Sequence, residues 1–353
     1  MVFESDSWDD HELVHFVCDR ETGLKAIIAV HNSTLGPGCG GCRMWPYASS
    51  ADALEDVLRL SRAMSYKNAL AGLPLGGAKA VIVADSRRDK TPRLMGAFGR
   101  SVDALGGQYI AAEDVGVTVD DMKWVMRETR FVSGVSADHG GGGDPSPHTA
   151  RGVLKGIKAA VGAAYGNEDL RGLRVMVQGV GHVGHHLCRE LHEAGAKLLV
   201  ADIHPGNVER AVSEFGAIEV STDAVFQQEV DVYAPCALGA VINDQTLPVL
   251  KARVVAGAAN NQLQGPEHGE LLRDRGIVLA PDYVINAGGI IKIFAEMAGQ
   301  DMQWVDAKIN AIYDTTRAIL LDAAKTGRAA NAVADEMAKR LLDSAAMPEA
   351  SAS

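Results

Sequence analysis

Two lysines and an aspartate are of the types that acid–base chemistry on a small carboxylate substrate requires. Lys67 lies in MSYKNA and Lys79 in GGAKAV, both among apolar residues and glycines. Desolvation and a neighbouring cation lower the pKa of a lysine, so one lysine can accept protons near neutral pH while the other stays charged and holds a carboxylate. Asp114, in AAEDVG, can orient such a pair or relay its protons. In the structural alternative, Lys67 ends a helix and Lys79 extends to solvent from the start of a strand.

A glycine pattern further along the chain predicts a dinucleotide site. QGVGHVGHH places Gly179, Gly181 and Gly184 in the spacing G-x-G-x-x-G, after an apolar strand and at the start of an amphipathic helix. The pyrophosphate is expected at the helix N-terminus. Asp202, at the end of the next strand, is expected to bind the adenosine ribose and to repel a 2′-phosphate, which favours NAD over NADP. The alternative is a glycine-rich turn without a ligand. The predicted cofactor contacts also include Val180, His182, Val183 and Ile203.

Cys39 and Cys42, in TLGPGCGGCRMWPY, have the spacing of a zinc site or a redox pair. The cysteines, at positions 18, 39, 42, 188 and 236, form an odd and scattered set that suits reduced thiols. A structural zinc would require a second Cys/His pair. His185 and His186 cannot easily supply it, because adjacent residues on a helix point about 100° apart. We therefore predict that the chain has no metal site and that the spacing is coincidental.

Length and charge limit the classes of function. The 353 residues exceed one typical domain, which predicts two domains with a cleft between them. The formal net charge is −11 and there is no cluster of Lys and Arg, so nucleic acid is not an expected partner. No segment offers the ~18 uninterrupted apolar residues that a membrane span needs. We expect a cytoplasmic protein without a membrane partner.

The first half of the sequence predicts strands and helices around the two lysines. An apolar strand is predicted over residues 24–30, and the glycine-rich stretch after it is predicted to be a loop. A helix with Ser50 as its N-cap is predicted to run to residue 64, because apolar residues recur there at helical spacing. A strand over 80–84 and a helix over 94–105 follow.

The second half follows the βαβ rhythm of a parallel sheet with helices on both faces. Strands are predicted over residues 174–180 and 197–203, and one helical region over 302–344. Residues 139–144, HGGGGD, are predicted to be a hinge or domain boundary, because glycine has the widest backbone freedom. The predicted fold class is therefore α/β.

Several long motifs together resemble the Glu/Leu/Phe/Val dehydrogenases, and most closely the leucine dehydrogenases among them. These motifs, in this order, are LGPGCGGCRMWPY, SYKNALAGLPLGGAKAVI, YIAAEDVG, VQGVGHVG, DVYAPCALGAVIND, VVAGAANNQL and APDYVINAGG. The resemblance covers about residues 12–340. It implies a catalytic and oligomerisation domain over 1–140, an NAD-binding Rossmann domain over 145–325, and a C-terminal helix, 326–353, that returns to the first domain.

The resemblance implies a reversible, NAD-dependent oxidative deamination of an L-amino acid to its 2-oxo acid and ammonia. Lys67 would bind the substrate carboxylate, and Lys79 would activate the water that attacks the imine and exchange protons with it. Asp114 would assist this transfer and contact the amino group. The carbonyl of Gly40 would bind the same amino group, and Asn260 would contact the carboxylate from the cofactor side.

Further residues are assigned by the same resemblance. Hydride would pass between the substrate Cα and C4 of the nicotinamide, for which the protein supplies orientation and electrostatics. The nicotinamide pocket would be lined by Thr149, Cys236, Ala237, Ala258 and Asn260. The pocket for the substrate side chain would be lined by Cys39, Ala112, Ile290 and Ile293.

The residues of the side-chain pocket are small or aliphatic, which favours a branched aliphatic substrate. One methylene in an apolar pocket discriminates by only ~1–3 kcal/mol, so leucine, isoleucine and valine are all expected substrates. The sequence departs from the family pattern at Ala78, where glycine is usual, at Cys42, where threonine is usual, and at Cys39, where the leucine type has a larger aliphatic residue. The change at Cys39 would enlarge the pocket.

Two alternatives remain at this point. One is an aromatic L-amino acid dehydrogenase that acts on phenylalanine or tryptophan. The other is a non-catalytic NAD-binding protein on the same fold. The resemblance also implies a homo-oligomer, an octamer or smaller. The apolar N-terminal strand is the expected contact, because it would otherwise leave an open sheet edge.

Overall fold

A computed structural model describes residues 2–134 and 143–346. The chain divides into two compact units. The first unit comprises Met1–Asp144, Glu296–Gly299 and Ala338–Ser353, and the second comprises Pro145–Ala295 and Gln300–Met337. Both contain a sheet with helices, so the predicted α/β class with two domains is confirmed. Residues 139–142 of the predicted hinge lie outside the described residues.

The first unit is built on a mixed five-stranded sheet with the strand order β1-β2-β4-β3-β5. Strand β2 pairs antiparallel with β1 and β4, and β3 pairs parallel with β4 and β5. Its elements are β1 (Leu13–Asp19), β2 (Leu24–Asn32), β3 (Gly38–Trp45), α1 (Ser50–Leu70), β4 (Gly76–Val83), α2 (Pro92–Asp103), β5 (Tyr109–Glu113) and α3 (Val119–Met126).

Helices cover both faces of this sheet. Ile27 of β2 belongs to the core cluster that includes Leu58 of α1. Its neighbour Ile28 belongs to the opposite cluster, which includes Phe98 of α2. Successive residues of a strand point to opposite faces, so an unbroken apolar sequence such as that of β2 indicates a strand buried on both sides.

Three predictions about this unit were wrong in detail. The glycine-rich stretch predicted as a loop is β3, between β4 and β5 in the sheet; glycine weakens strand propensity, so the pattern favoured a loop. Helix α1 is capped by Ser49, whose Oγ accepts the Asp52 N–H at 3.1 Å, and not by Ser50. The strand predicted as an open edge, β2, is interior, because the unpredicted β1 pairs along it.

The second unit contains a wholly parallel six-stranded sheet with the order β11-β10-β9-β6-β7-β8. The connections reverse direction between β6 and β9, which is where open α/β sheets bind ligands. The remaining elements are α4 (Ser146–Tyr165), β6 (Arg174–Gln178), α5 (His182–Glu193), β7 (Lys197–Ala201), α6 (Pro205–Phe215), β8 (Ile218–Glu219), β9 (Val232–Pro235), β10 (Val254–Val255), α7 (Glu267–Asp274), β11 (Val278–Leu279), α8 (Asp282–Ile285), α9 (Gly288–Met297), α10 (Met302–Thr326) and α11 (Ala330–Ala346).

The predicted strands of this unit are confirmed, and each ends two residues earlier than expected. The helical region predicted over 302–344 is two helices, α10 and α11. Gly327 separates them, because its left-handed backbone, with φ +67°, ends α10 and directs its N–H to the Ala323 carbonyl. Among the described residues, no helix is both long enough and apolar enough to cross a membrane.

Candidate active site

The structure brings together the predicted acid–base pair of the first unit. Lys79 lies within β4, which begins four residues before the predicted strand, and Asp114 follows the last residue of β5. The Lys79 ammonium is 3.1 Å from Asp114 Oδ2, and only 6% of the lysine is exposed. The two residues come from strands about 10 Å apart, on either side of β3.

The glycines of β3 allow this contact across the intervening strand. A Cβ at Gly41 would lie 2.8 Å from the Asp114 Cβ and 2.4 Å from the Glu113 carbonyl oxygen, closer than real Cβ atoms approach. A Cβ at Gly40 would lie 1.7 Å from the Ala78 carbonyl oxygen. Glycine is therefore required at both positions, because the neighbouring strands approach β3 too closely for any side chain.

Arg43 is a component of this cluster that the sequence analysis did not assign. Its Nε donates to Asp114 Oδ2 at 2.9 Å, on the oxygen that Lys79 contacts, and its Nη1 donates to Asp56 Oδ2 at 2.9 Å. The Tyr47 hydroxyl donates to the same Asp56 oxygen at 2.6 Å. No signal marked it in the sequence, because the stretch that carries Arg43 was predicted to be a loop.

The two cations determine the ionisation of Asp114. Burial alone would raise the pKa of this carboxyl group, but the charges of Lys79 and Arg43 and their hydrogen bonds lower it to about 2. Asp114 is therefore an anion throughout the neutral and alkaline range. It can hold the Lys79 ammonium in place by charge and by a hydrogen bond.

The carbonyl of Gly40 lies close to the same cluster. It accepts a hydrogen bond of 2.9 Å from the Tyr109 hydroxyl, which is buried in β5. Gly40 also pairs with Ala111 in the β3–β5 ladder, so the position of this carbonyl is set by the sheet and by the phenol together, and its role as a ligand of the substrate amine stays a prediction. Burial raises the pKa of Tyr109 well above its usual range, so the phenol stays a donor.

Lys67 is half-buried near the C-terminal end of α1. The helix rests directly on β4 here: a Cβ at Gly77 would lie 2.0 Å from the Ser65 nitrogen, and the Asn68 amide donates to the Gly76 carbonyl at 2.7 Å. This contact fixes the position of Lys67 relative to β4, the strand that carries Lys79. We retain its role as carboxylate ligand as a prediction.

Cys39 and Cys42 occupy opposite faces of β3, because residues three apart in a strand point in opposite directions. Cys42 belongs to the core cluster of the α2 face. Burial raises the pKa of the Cys39 thiol to about 12 and that of Cys42 further, so both are neutral. The spacing therefore serves neither a shared metal nor a disulfide, and no group of three His, Cys, Asp or Glu side chains suited to a metal occurs within 2–134 and 143–346.

The remaining predicted pocket residues are distributed over both units. Ala112 is buried in β5 and pairs with Gly41 of β3. Ile290 and Ile293 lie on α9, in the second unit, the former buried and the latter half-buried. Their role as walls of a side-chain pocket stays a prediction.

The glycine loop of the second unit has the geometry of an anion site. Gly179, directly after β6, has φ +91°, and a Cβ there would lie 2.6 Å from the Ala237 Cβ. A Cβ at Gly184 would lie 2.0 Å from the Gly179 carbonyl oxygen, so this glycine allows the loop and α5 to pack closely. A Cβ at Gly181 would meet nothing within 4 Å. The space beside Gly181, at the N-terminus of α5, is therefore open, as the predicted pyrophosphate site requires.

Asp202 lies one residue beyond β7 and is tied to the glycine loop. Its Oδ2 accepts the Val180 N–H at 2.8 Å, and its Oδ1 accepts the His204 N–H at 2.8 Å. Ile203 between them is 81% exposed. His182 and Val183 form the first turn of α5, next to the loop. The carboxylate is thus held at the edge of the predicted dinucleotide site.

The residues predicted around the nicotinamide lie on neighbouring segments of the second unit. The Cys236 N–H donates to the Gln178 carbonyl at 2.7 Å, which places residues 236–237 beside the glycine loop. The Thr149 hydroxyl donates to the Pro145 carbonyl at 3.3 Å on α4, and a Cβ at Gly289 would lie 2.7 Å from this hydroxyl.

Asn286 is a second residue that the sequence analysis did not assign. Its Nδ2 donates to the Asn260 side-chain oxygen at 2.9 Å and to the Ala258 carbonyl at 3.1 Å. It is buried, whereas Asn260 is exposed. Asn286 therefore orients two residues predicted to contact the cofactor or substrate. Its position in the motif APDYVINAGG was the available signal.

Two family models match the chain. One, described as "Glu/Leu/Phe/Val dehydrogenase, dimerisation domain", matches residues 11–131, which include Lys67, Lys79 and Asp114. The other, described as "Glutamate/Leucine/Phenylalanine/Valine dehydrogenase", matches residues 199–346.

Individual relatives match over nearly the whole chain. The leucine dehydrogenase of Geobacillus stearothermophilus is 52% identical over 334 residues, covering 95% of this chain and 91% of that protein. The leucine dehydrogenase of Bacillus subtilis (strain 168) is 50% identical over 334 residues, covering 95% and 92%. The crystal structure of L-tryptophan dehydrogenase from Nostoc punctiforme superimposes with a TM-score of 0.82 at 42% identity, covering 96% of this chain and 97% of that one.

Proposed function

Because the chain belongs to the Glu/Leu/Phe/Val dehydrogenase family of NAD(P)-dependent enzymes, we propose that it interconverts a branched-chain aliphatic L-amino acid with its 2-oxo acid and ammonia. Leucine is the proposed main substrate, and isoleucine and valine are also accepted. The observation that carries the proposal is the buried ion pair of Lys79 and Asp114. A protein that only bound the dinucleotide would have no use for this pair.

In the proposed reaction, Lys67 holds the substrate carboxylate as a fixed cation, and Asn260 contacts it from the cofactor side. The Gly40 carbonyl accepts a hydrogen bond from the substrate amine, and so fixes the orientation of Cα. The hydride that leaves Cα passes to C4 of the nicotinamide, which is the chemistry that the bound cofactor supplies.

Lys79 then acts on the water that converts the imine to the 2-oxo acid. Lys79 takes a proton as the water oxygen bonds to Cα, and it returns that proton to the nitrogen of the resulting carbinolamine. As the C–N bond breaks and ammonia leaves, the hydroxyl proton passes to Lys79 and the C=O bond of the 2-oxo acid forms. Asp114 holds the lysine nitrogen at 3.1 Å, so that it stays aimed at the reacting atoms.

We propose NAD as the cofactor, because the negative charge of Asp202 would repel the 2′-phosphate of NADP. The carboxylate is bound to the Val180 N–H of the glycine loop, so it cannot easily move away from the ribose position. The open space at Gly181 supports the placement of the pyrophosphate.

The proposed aliphatic preference rests on the types of the pocket residues. Cys39, Ala112, Ile290 and Ile293 offer no polar partner for a ring hydroxyl or a second carboxylate. The identity of about 50% to leucine dehydrogenases supports the same substrate class. The aromatic alternative is an outcome of the test below.

We also propose that the protein is a homo-oligomer, an octamer or smaller. The matching model for residues 11–131 is described as a dimerisation domain. Strand β1 is an edge of the first sheet and carries the exposed side chain of Phe16, which makes it the proposed contact.

A substrate panel tests the proposed function. NADH formation is followed at alkaline pH with L-leucine, isoleucine, valine, phenylalanine and tryptophan, and each kcat/KM is compared. We expect leucine to rank first and the other branched-chain substrates to follow within about 10- to 200-fold. A higher value for phenylalanine or tryptophan would establish the aromatic alternative. No absorbance change with any of the five would contradict the enzyme assignment.

The variant Lys79→Ala separates catalysis from cofactor binding. We expect it to lose turnover and to keep NAD binding, as measured by calorimetry, because the glycine loop belongs to the other unit. The matched control is Lys25→Ala, which removes an exposed lysine from β2 and should leave both properties unchanged. Turnover retained by Lys79→Ala would overturn the role of this lysine.

A further inference from the structure

Arg43 has no role in the reaction as described so far, yet it occupies the centre of a buried charge network. Lys79, Asp114, Arg43 and Asp56 form a row in which cations and carboxylates alternate. Arg59 extends the row by donating to the other oxygen of Asp56 at 3.1 Å, from a side chain that is 43% exposed.

We propose that Arg43 is a positioning residue that keeps Asp114 a carboxylate throughout the reaction, so that the proton released by Lys79 goes to water or substrate and not to Asp114. This inference rests on the proposed function in its assignment of proton transfer to Lys79. It goes further by making Asp114 a fixed anion instead of a proton relay.

The first argument concerns the state in which Lys79 is neutral. Asp114 then loses one of its two cations, and its buried carboxylate would favour taking up a proton. Arg43 remains charged at any working pH, because the guanidinium does not deprotonate in proteins. Its Nε lies 2.9 Å from the oxygen that Lys79 contacts, so the charge of Asp114 stays compensated.

The second argument concerns how firmly Arg43 is held. Its Nε and Nη1 reach two different carboxylates, one following β5 and one on α1, each at 2.9 Å. Asp56 is in turn fixed by the Tyr47 hydroxyl; the half-exposed Arg59 also contacts it, but an ion pair open to solvent contributes little. A planar guanidinium can serve both carboxylates at once, whereas the compact ammonium of a lysine cannot match this geometry.

The electrostatics of the charged groups agree with this role. Burial raises the pKa of Asp114, and the charges of Lys79 and Arg43 lower it to about 2. The two carboxylates beside Arg43 raise the pKa of its guanidinium against the opposing effect of burial. Without Arg43, Lys79 would be the only cation that offsets the burial of Asp114. Because a positive charge would be lost beside the pair, we expect Lys79 to keep its proton to a higher pH.

The test compares Arg43→Gln and Arg43→Lys with the control Arg59→Gln, which removes a guanidinium from Asp56 without touching Asp114.

The first readout does not depend on activity. Acetylation of Lys79 by acetic anhydride is measured against pH by peptide mass spectrometry. We expect the midpoint to move upward by about one pH unit or more in Arg43→Gln, equal to a factor of about ten in proton affinity, and to move less in Arg43→Lys. Arg59→Gln should match the parent protein.

The second readout is the pH profile of kcat/KM with L-leucine. We expect its acid limb to move in the same direction, so that kcat/KM at neutral pH falls about tenfold or more in Arg43→Gln. A lower rate with both midpoints unchanged in the folded variant would assign Arg43 a merely structural role and overturn the proposal. If Arg43→Gln does not fold, the same midpoints measured in Arg43→Lys and Asp56→Asn decide. In that case, unchanged midpoints overturn the proposal.

The two readouts also separate this proposal from the proposed function. A shifted acetylation midpoint in a protein without amino acid dehydrogenase activity would uphold the electrostatic effect of Arg43 on Lys79 and Asp114 and reject the function. Activity with unshifted midpoints would do the reverse.

Discussion

The Tyr109 hydroxyl donates a hydrogen bond of 2.9 Å to the carbonyl oxygen of Gly40, across the pairing of β5 with β3. The phenol is wholly buried, and it reaches the backbone atom that is proposed to bind the substrate amine. The orientation of that carbonyl is therefore set by a side chain from the neighbouring strand.

The variant Tyr109→Phe tests this arrangement. Loss of the hydroxyl leaves the carbonyl with one partner fewer, which we expect to cost about 1 kcal/mol in stability. A less firmly oriented carbonyl should raise the KM for leucine several-fold and change kcat less. Urea unfolding and steady-state kinetics measure the two effects. An unchanged KM in a destabilised variant would show that the hydrogen bond serves the fold alone.

Gly40→Ala is expected to destabilise the first unit. The new Cβ would lie 1.7 Å from the Ala78 carbonyl oxygen, a backbone atom that cannot move aside without displacing β4. We expect a loss of about 1–3 kcal/mol or more, and a loss of activity because β4 carries Lys79. The control Gly162→Ala lies within α4, where the nearest atom is 4.0 Å away, and should stabilise the protein by ~0.5–1 kcal/mol. Equal unfolding midpoints for the two variants would contradict the close approach of β3 and β4.

Asp202→Ser should weaken the preference for NAD. The substitution removes the charge that opposes a 2′-phosphate and keeps a short acceptor for the Val180 and His204 N–H groups. We expect the ratio of kcat/KM for NAD to that for NADP to fall by about tenfold or more. The value for NAD should fall because the proposed hydrogen bonds from Asp202 to the ribose are lost. A Glu193→Ser variant, at the far end of α5, is the matched control. A cofactor ratio that stays at the parent value would remove Asp202 from the site.

Two contacting histidines predict a loss of stability in acid. His31 is buried between His11, at a ring-centroid distance of 4.9 Å, and Asp9, whose carboxylate is 3.5 Å away; Arg62 and Tyr66 also face this group. Burial, with the neighbouring His11, lowers the pKa of His31 from 6.5 to about 4.

The unfolded chain therefore binds a proton at His31 before the folded protein does, so stability falls as the pH decreases from about 6.5 to about 4. The loss attributable to His31 is about 3 kcal/mol. His31→Gln should flatten the dependence of the free energy of unfolding on pH in this range, as measured by urea titration. His15→Gln, in the edge strand β1, is the control. An equally steep dependence in both variants would place the acid sensitivity elsewhere.

The sequence by itself determined the class of fold and the candidate residues, and its resemblance to a family implied the chemistry. Three local patterns were available, and each depends on periodicity and residue type alone. They are the lysines among apolar residues, the glycine loop between a strand and a helix, and the acidic residue after the next strand. They predicted Lys79 with Asp114 and the glycine loop with Asp202, and in the structure Lys79 contacts Asp114 and Val180 of the loop donates to Asp202.

Only the tertiary structure decided how strands distant in sequence assemble around these residues. Strand β3 was not predicted, because glycine has low strand propensity. The glycines are needed there because β4 and β5 approach β3 closely. Arg43 and Asp56 meet only when β3 and α1 have packed, so no local pattern marks them as partners of Asp114. The contacts that hold the charges of Lys79 and Asp114 in place join residues up to 71 positions apart, a distance at which periodicity carries no information.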